Sequence, residues 1–338
     1  MAKRMKSKIQ PAVQTLTFNF NPSDQAGGDF LYVDLSQVAS IVNRRFYRQG
    51  LNWAVAGFKM TTGQDSAGRV HINKLPNTWV MSNAWEKAFR AWQKMIAHAV
   101  DDSGNQSIKP KFLDYKIFAN KKHWESYVSG TVPGQLENLL PTSAYTTGYQ
   151  IATPGQWDMS EISIPNTIIG TPGDTVEKHM IAVGPLTAGD NYVSLIPGYA
   201  TSRALPAPVD PNVPADTDTS ENWLVQMFND GNLQDTEVME MLSTTNNNPP
   251  YPFEGDIAGN TDTMYPGGET QMPSLEIHDI TDITTTTVGG STYLKGGNFP
   301  CGLIEFWFSG YKGTSVTLQI DLVPGQHRGY LAEPMTDM

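Results

Sequence analysis

The sequence predicts an all-β protein: one large domain, an antiparallel sandwich or single jelly roll, with helical and long-loop insertions. Three observations carry that expectation. About a dozen short segments alternate apolar and polar residues with the period of two that turns one strand face to a core. The separators are rich in turn formers, with 30 Gly and 23 Pro, while charged residues make up 17% of the chain, below the roughly 25% usual for soluble domains. Finally, the strands do not alternate with helices, as the crossovers of a parallel sheet require.

Residues 1–10 carry Lys3, Arg4, Lys6 and Lys8 without apolar periodicity and read as a flexible basic arm. The domain proper is expected over 11–338. Its first strand follows from the alternation of Val13–Phe20, and a second from Phe30–Leu35. Ser36 offers an N-cap for a helix to about Arg48, with Val38, Ile41, Val42 and Phe46 on one face and Arg44 and Arg48 on its flank. Asn52–Met60 and Arg69–Leu75, joined by a Gly-Gln-Asp-Ser-Ala-Gly turn, read as a hairpin. The clearest helix lies within Asn77–Val100, with Asn83 and Glu86 as a near capping box. Trp85, Ala88, Phe89, Trp92, Met95, Ile96 and Ala99 form its apolar stripe.

Short β-like runs follow near 112–118, 144–152, 159–164 and 178–184. Residues 206–273 are rich in Pro, Asn and acidic residues and read as an acidic surface insertion with two short helices, about Glu221–Phe228 and Gln234–Leu242. Strands resume at Leu275–Ile283, Thr284–Leu294, Leu303–Phe308 and Ser315–Val323, before a C-terminal tail at 325–338.

Composition excludes whole classes. With 39% hydrophobic and 10% aromatic residues the chain is too apolar to stay disordered. No apolar stretch approaches the ~20 residues of a membrane-spanning helix, so no membrane span is expected. A single cysteine, Cys301, excludes an internal disulfide and any multi-cysteine metal site. The N-terminus has basic residues but no apolar segment behind them, which does not read as a secretory signal.

The search for chemistry is largely negative. The six histidines, His71, His98, His123, His179, His278 and His327, show no metal-ligand spacing, and there is no Gly-x-Ser-x-Gly elbow. Asp216, Asp218 and Ser220 imitate the start of a calcium loop, but Glu221 stands where Gly is needed and Met227 where Glu is needed. No catalytic residue, metal site or resident cofactor is assigned. The chain is expected not to be an enzyme.

Charge is the informative quantity. Residues 1–125 hold 18 basic and 9 acidic residues, a net of +9, whereas 126–338 hold 5 basic and 25 acidic, a net of −20. Such asymmetry points to a molecule with a basic and an acidic side. Lys3, Arg4, Lys6, Lys8, Arg44, Arg45 and Arg48 are therefore the candidate nucleic-acid contacts, binding phosphates without sequence preference. Lys109, Lys111, Lys121 and Lys122 are a second set.

Two blocks carry a resemblance: KLPNTWVMSNAWEKAFRAWQKM, Lys74–Met95, and LQIDLVPGQHRGYLAEPMTDM, Leu318–Met338. With the basic N-terminus and the strand-rich body, they resemble the capsid proteins of small eukaryotic viruses with circular, replicase-encoding single-stranded DNA genomes. The resemblance implies a jelly roll that self-assembles, as 60 copies, into an icosahedral shell around that DNA. It implies location in the virion, after assembly in the nucleus or cytoplasm of the host cell, and names no receptor. Relatives of the fold in insect and plant viruses sometimes place calcium between subunits, which would be the one ion to expect, with no residue assigned to it. The chain departs from the family in its arm: ten residues with four charges, where many such capsids carry a long Arg-rich one. The alternatives from other classes are a carbohydrate-binding jelly-roll module of a fibre or adhesin, marked by glycan affinity in a small oligomer, and a glycoside hydrolase using a carboxylate pair.

Overall fold

The computed structural model describes residues 11–23, 28–104, 107, 109, 113–129, 138–145, 148–165, 175–185, 191–203, 274–286 and 290–338. The basic arm 1–10, the acidic segment 206–273 with its two expected helices, and Lys111 lie outside the described residues.

The chain opens with β1 (Thr15–Phe20), β2 (Asp29–Asp34), α1 (Leu35–Asn43), β3 (Leu51–Thr61) and β4 (Ala67–Lys74). An insertion then carries α2 (Trp79–Asp102), α3 (Lys121–Ser129), β5 (Thr142–Tyr145), β6 (Gly148–Ile151), β7 (Glu161–Pro165), β8 (Thr175–Ile181), β9 (Tyr192–Ser194) and α4 (Leu195–Arg203). The body resumes with β10 (Glu276–Ile283), β11 (Ser291–Phe299), β12 (Leu303–Lys312) and β13 (Val316–Leu322). Three short strands close the chain: β14 (Pro324–Gly325), β15 (Gly329–Tyr330) and β16 (Ala332–Pro334).

The result is an all-β sandwich. One sheet runs β1-β13-β3-β11, with β16 also paired to β3, and the other runs β10-β4-β12-β2. All these pairings are antiparallel. The eight long strands nest: the first pairs with the eighth, the second with the seventh, the third with the sixth and the fourth with the fifth. The hairpin expected from Asn52–Met60 and Arg69–Leu75 does not form, because β3 and β4 belong to opposite sheets. Alternation specifies which face of a strand is buried. It does not specify the neighbouring strand.

Between the sheets, Leu16, Phe18, Trp53, Phe58, Met60, Ile304, Phe306, Phe308, Leu318 and Ile320 form the main core, all essentially inaccessible. Phe58 meets Phe299 and Phe306 edge to face at 5.5 and 5.8 Å. Each such side chain contributes about 1.5–3 kcal/mol of burial. At one open end, edge strand β10 binds the backbone of edge strand β11: Lys295 N donates to Asp279 Oδ2 at 2.9 Å, and His278 Nε2 lies 2.9 Å from Lys295 O. Satisfying edge groups in this way blunts their capacity to pair with foreign strands.

The insertion builds a second core against the outside of the sandwich, from Trp85, Trp92, Tyr115, Ile117, Met180 and Leu195 with Tyr32 and Leu303. The N-cap of helix α2 lies five residues before the expected Asn83: Thr78 takes that place and accepts from Met81 N. Burial of Val80, Met81 and Ser82 rewards that extra turn, and Glu86 pairs with Arg90 instead of closing a capping box. The C-terminal tail folds back on the same chain, with Met335 fully buried and its carbonyl accepting Ser82 Oγ at 2.6 Å.

Two buried polar hubs join insertion and sandwich. Asp34 Oδ2 accepts Gln49 Nε2 at 3.0 Å and Trp157 Nε1 at 3.1 Å, while Gln49 also bonds both backbone groups of Ile117. His123 accepts Ala119 N on Nδ1 at 3.1 Å, so its Nε2–H donates to Asn138 Oδ1 at 2.9 Å, and its ring stacks on Tyr32 at 4.3 Å. No helix among the described residues is long and apolar enough to cross a membrane.

Candidate nucleic-acid interface

Asp34, not Ser36, caps α1, its Oδ1 accepting Ser36 N at 2.9 Å and Gln37 N at 3.3 Å. The helix ends at Asn43, five residues before the expected end. Arg44 is its C-cap in the left-handed conformation, φ 53 and ψ 38. Arg44, Arg45 and Arg48 therefore stand on the connection into β3 and not along a helical flank. The reason is local. The expected stripe continued to Phe46, but Asn43 turns its side chain back to the Ala39 carbonyl at 2.9 Å and Ser40 Oγ accepts Tyr47 N at 3.0 Å, which together close the helix.

That connection lies beside the root of the basic arm. Arg45 Nη1 donates to Pro11 O at 3.0 Å, and Val13 N donates to Asn43 Oδ1 at 3.0 Å. The described body thus begins next to Arg45. Arg328, also at positive φ, joins the group from the far end of the sequence: its Nη1 donates to Phe46 O, while Tyr47 OH donates to Arg328 O at 3.0 Å. Tyr330 OH donates to Val13 O at 2.6 Å and accepts Asn43 Nδ2 at 2.7 Å. Three segments remote in sequence are stitched together here, with the Arg45 and Arg328 side chains bonded to the backbone of Pro11 and Phe46.

Beside them a cavity of about 420 Å³ has Arg48 and Arg328 at its margin and Phe46, Trp85, Phe89 and Tyr115 among its walls. Burial and the neighbouring Arg328 both hold the His327 imidazole below its ordinary pKa, keeping it neutral. Burial raises the Asp114 carboxyl, against the pull of Lys116, 2.6 Å away, and of Arg48. Guanidinium groups offer phosphate a planar donor fork without reading sequence.

Of the candidate contacts, Arg44, Arg45 and Arg48 lie on the short connection between α1 and β3. Lys3, Arg4, Lys6 and Lys8 lie outside the described residues. Lys121 and Lys122 open α3 elsewhere, and Lys109 is exposed. Arg328 escaped sequence reasoning; its one signal was that it is among only 5 basic residues in the acidic stretch 126–338. No group of three or more His, Cys, Asp or Glu side chains suited to a metal occurs among the described residues. Asp216, Asp218 and Ser220 lie outside them. Cys301 is fully buried, and burial pushes its thiol far up, which makes it unreactive.

No family model, no curated protein and no solved structure matches the chain.

Proposed function

We propose that the protein is the capsid protein of a small virus, a jelly roll that assembles into an icosahedral shell of 60 copies around circular single-stranded DNA. The observation that carries this reading is that Pro11, at the root of the basic arm, is bonded to Arg45 on the connection that also holds Arg44 and Arg48, in a sandwich whose eight strands nest first with eighth through to fourth with fifth. Such nesting supports reading the sandwich as a jelly roll, a fold that leaves loops and insertions free for contacts between copies. In this reading the basic charges of residues 1–10 and the four arginines contact the genome. The resemblance of Lys74–Met95 and Leu318–Met338 to such capsid proteins supports the same reading.

The arm is short, so the arginine surface shares the phosphate contacts. Four arm charges plus four arginines predict a slope of log affinity against log salt of roughly −6 for single-stranded DNA, at about −0.7 per phosphate. Removing residues 1–10 reduces it to roughly −3 on the same scale. Fluorescence anisotropy with a labelled single strand at graded salt measures both slopes. A slope unchanged by loss of the arm and by replacing all four arginines contradicts the assignment. Saturable glycan binding by a small oligomer with no DNA affinity replaces it with the carbohydrate-binding module.

A further inference from the structure

The outer face of the four-stranded sheet carries two rows of side chains running across the strands. Register places Phe30 of β2 opposite Trp307 of β12, and Trp307 opposite His71 of β4. Two residues along, Tyr32, Glu305 and Asn73 stand in the same order. Alternation along each strand points both rows the same way.

The first row is a chain of ring contacts. Phe30 lies parallel to Trp307 at 5.7 Å between centroids, and His71 stacks on Trp307 at 4.3 Å. The second row is polar and acceptor-rich. Glu305 Oε2 accepts Tyr32 OH at 2.6 Å and Asn120 Nδ2 at 2.8 Å, and Oε1 accepts Asn73 Nδ2 at 2.7 Å. Glu305 is 4% exposed, held by neutral donors, with no ion-pair partner among the described residues. A carboxylate only accepts, so it turns the Asn73 NH2 toward itself. Asn73 Oδ1 is thereby left buried with no hydrogen-bond partner among the described residues, as is His71 Nδ1. Both residues are more than nine-tenths buried.

The whole first row and, from the second, Glu305 and Asn73 line one cavity of about 310 Å³, with Lys121 and Lys122 also on its wall. Lys122 Nζ lies 3.3 Å from the Phe30 centroid. An occupant would bring a hydrogen-bond donor to Asn73 Oδ1 and a second to the remaining acceptor position of Glu305 Oε1, a flat ring to the aromatic row, and negative charge to the lysines. A small organic cation satisfies the first demand and is repelled by the third. Inorganic phosphate satisfies only the third. We propose that this cavity binds a single nucleotide, whose base stacks along the Trp307 row and donates from its amino-bearing edge to Glu305 and Asn73 while its phosphate meets Lys121 and Lys122. Guanine, with adjacent N1–H and N2–H2 donors, fits best. Thymine, with one imide N–H between two carbonyls, fits worst. Aromatic rows on a sheet surface are a general means of stacking exposed bases. The inference rests on the capsid reading only in taking the packaged strand as the source of the nucleotide; the other source is free nucleoside monophosphate.

The test titrates the purified full-length protein with dGMP, dCMP, dAMP, dTMP and inorganic phosphate, by calorimetry and tryptophan fluorescence. The expected result is saturable dGMP binding at one site per chain, at least about tenfold tighter than dTMP, with no saturable phosphate binding. Glu305→Gln abolishes the base preference, and Trp307→Ala weakens all four nucleotides. Should either of these variants fail to fold, the exposed pair Lys121→Ala and Lys122→Ala tests the same site: nucleotide affinity drops while the order of preference survives. Equal affinity for all four nucleotides and phosphate, or dGMP binding unchanged in the lysine pair, overturns the proposal. A guanine-containing single-stranded oligonucleotide that displaces dGMP supports the strand as source; dGMP binding that no oligonucleotide displaces supports the free nucleotide. Particles that package DNA without dGMP binding overturn the cavity alone, whereas dGMP binding by a protein that never assembles upholds the cavity and overturns the shell.

Discussion

The Asp34→Asn substitution should unmask a pH dependence of stability that the native protein hides. Burial pushes the Asp34 carboxyl up to about 6, against the downward pull of hydrogen bonds from Gln49, Gln37, Ser36 and Trp157. Unfolded, it titrates near 3.9. Between those values the native state holds a proton that the unfolded chain lacks, so stability rises as pH falls through 6, by about 2 kcal/mol at pH 4. His123 acts in the opposite sense. Burial lowers its imidazole to about 4, against the upward pull of Asn138, while unfolded it titrates near 6.5. Its contribution is complete above about pH 6.5 and lost as pH falls to 4, about 3 kcal/mol. The two largely cancel. The substituted amide cannot titrate, so the variant keeps the His123 loss without the Asp34 gain that offsets it. Urea denaturation of the unassembled protein at pH 4, 5, 6 and 7 measures it. The native-minus-variant stability difference should grow by about 2 kcal/mol from pH 7 to pH 4. A difference independent of pH refutes the account of Asp34 as a buried, upshifted carboxyl.

His123→Gln should produce the reverse profile, with relative stability rising on acidification as Asp34 takes up its proton, in the same urea series. Arg44→Gly should stabilise the fold by about 1 kcal/mol, because the left-handed C-cap costs a side-chain-bearing residue and not glycine. The same change should reduce the salt slope of single-strand binding by about 0.7, read by anisotropy. Gly50→Ala places a methyl 2.4 and 2.6 Å from Trp85 ring carbons, an overpacking expected to cost about 1–3 kcal/mol and to alter the near-ultraviolet circular dichroism.

The long strands were legible because alternation reports burial on one face, and β1, β2, β12 and β13 stand where Val13–Phe20, Phe30–Leu35, Leu303–Phe308 and Ser315–Val323 predicted them. Their nesting was not legible: β1 meets β13 across some 300 residues through a register that no local pattern encodes. Helix α3 was missed because its sequence, KKHWESYVS, has little apolar periodicity, and α4 because Pro197 and Gly198 sit inside it. The arginine surface was half legible. Local spacing displayed Arg44, Arg45 and Arg48, while Arg328 and the arm root join them only through tertiary contacts. The row Phe30–Trp307–His71 was invisible for the same reason: its members are neighbours across strands and not along one.

Electron microscopy of the purified protein, with the ratio of absorbance at 260 to 280 nm read on the same fraction, tests the central claim most directly. The account predicts uniform closed round particles whose ratio shows packaged nucleic acid and falls when residues 1–10 are removed. Small soluble species only, across a range of salt and calcium concentrations, would contradict it.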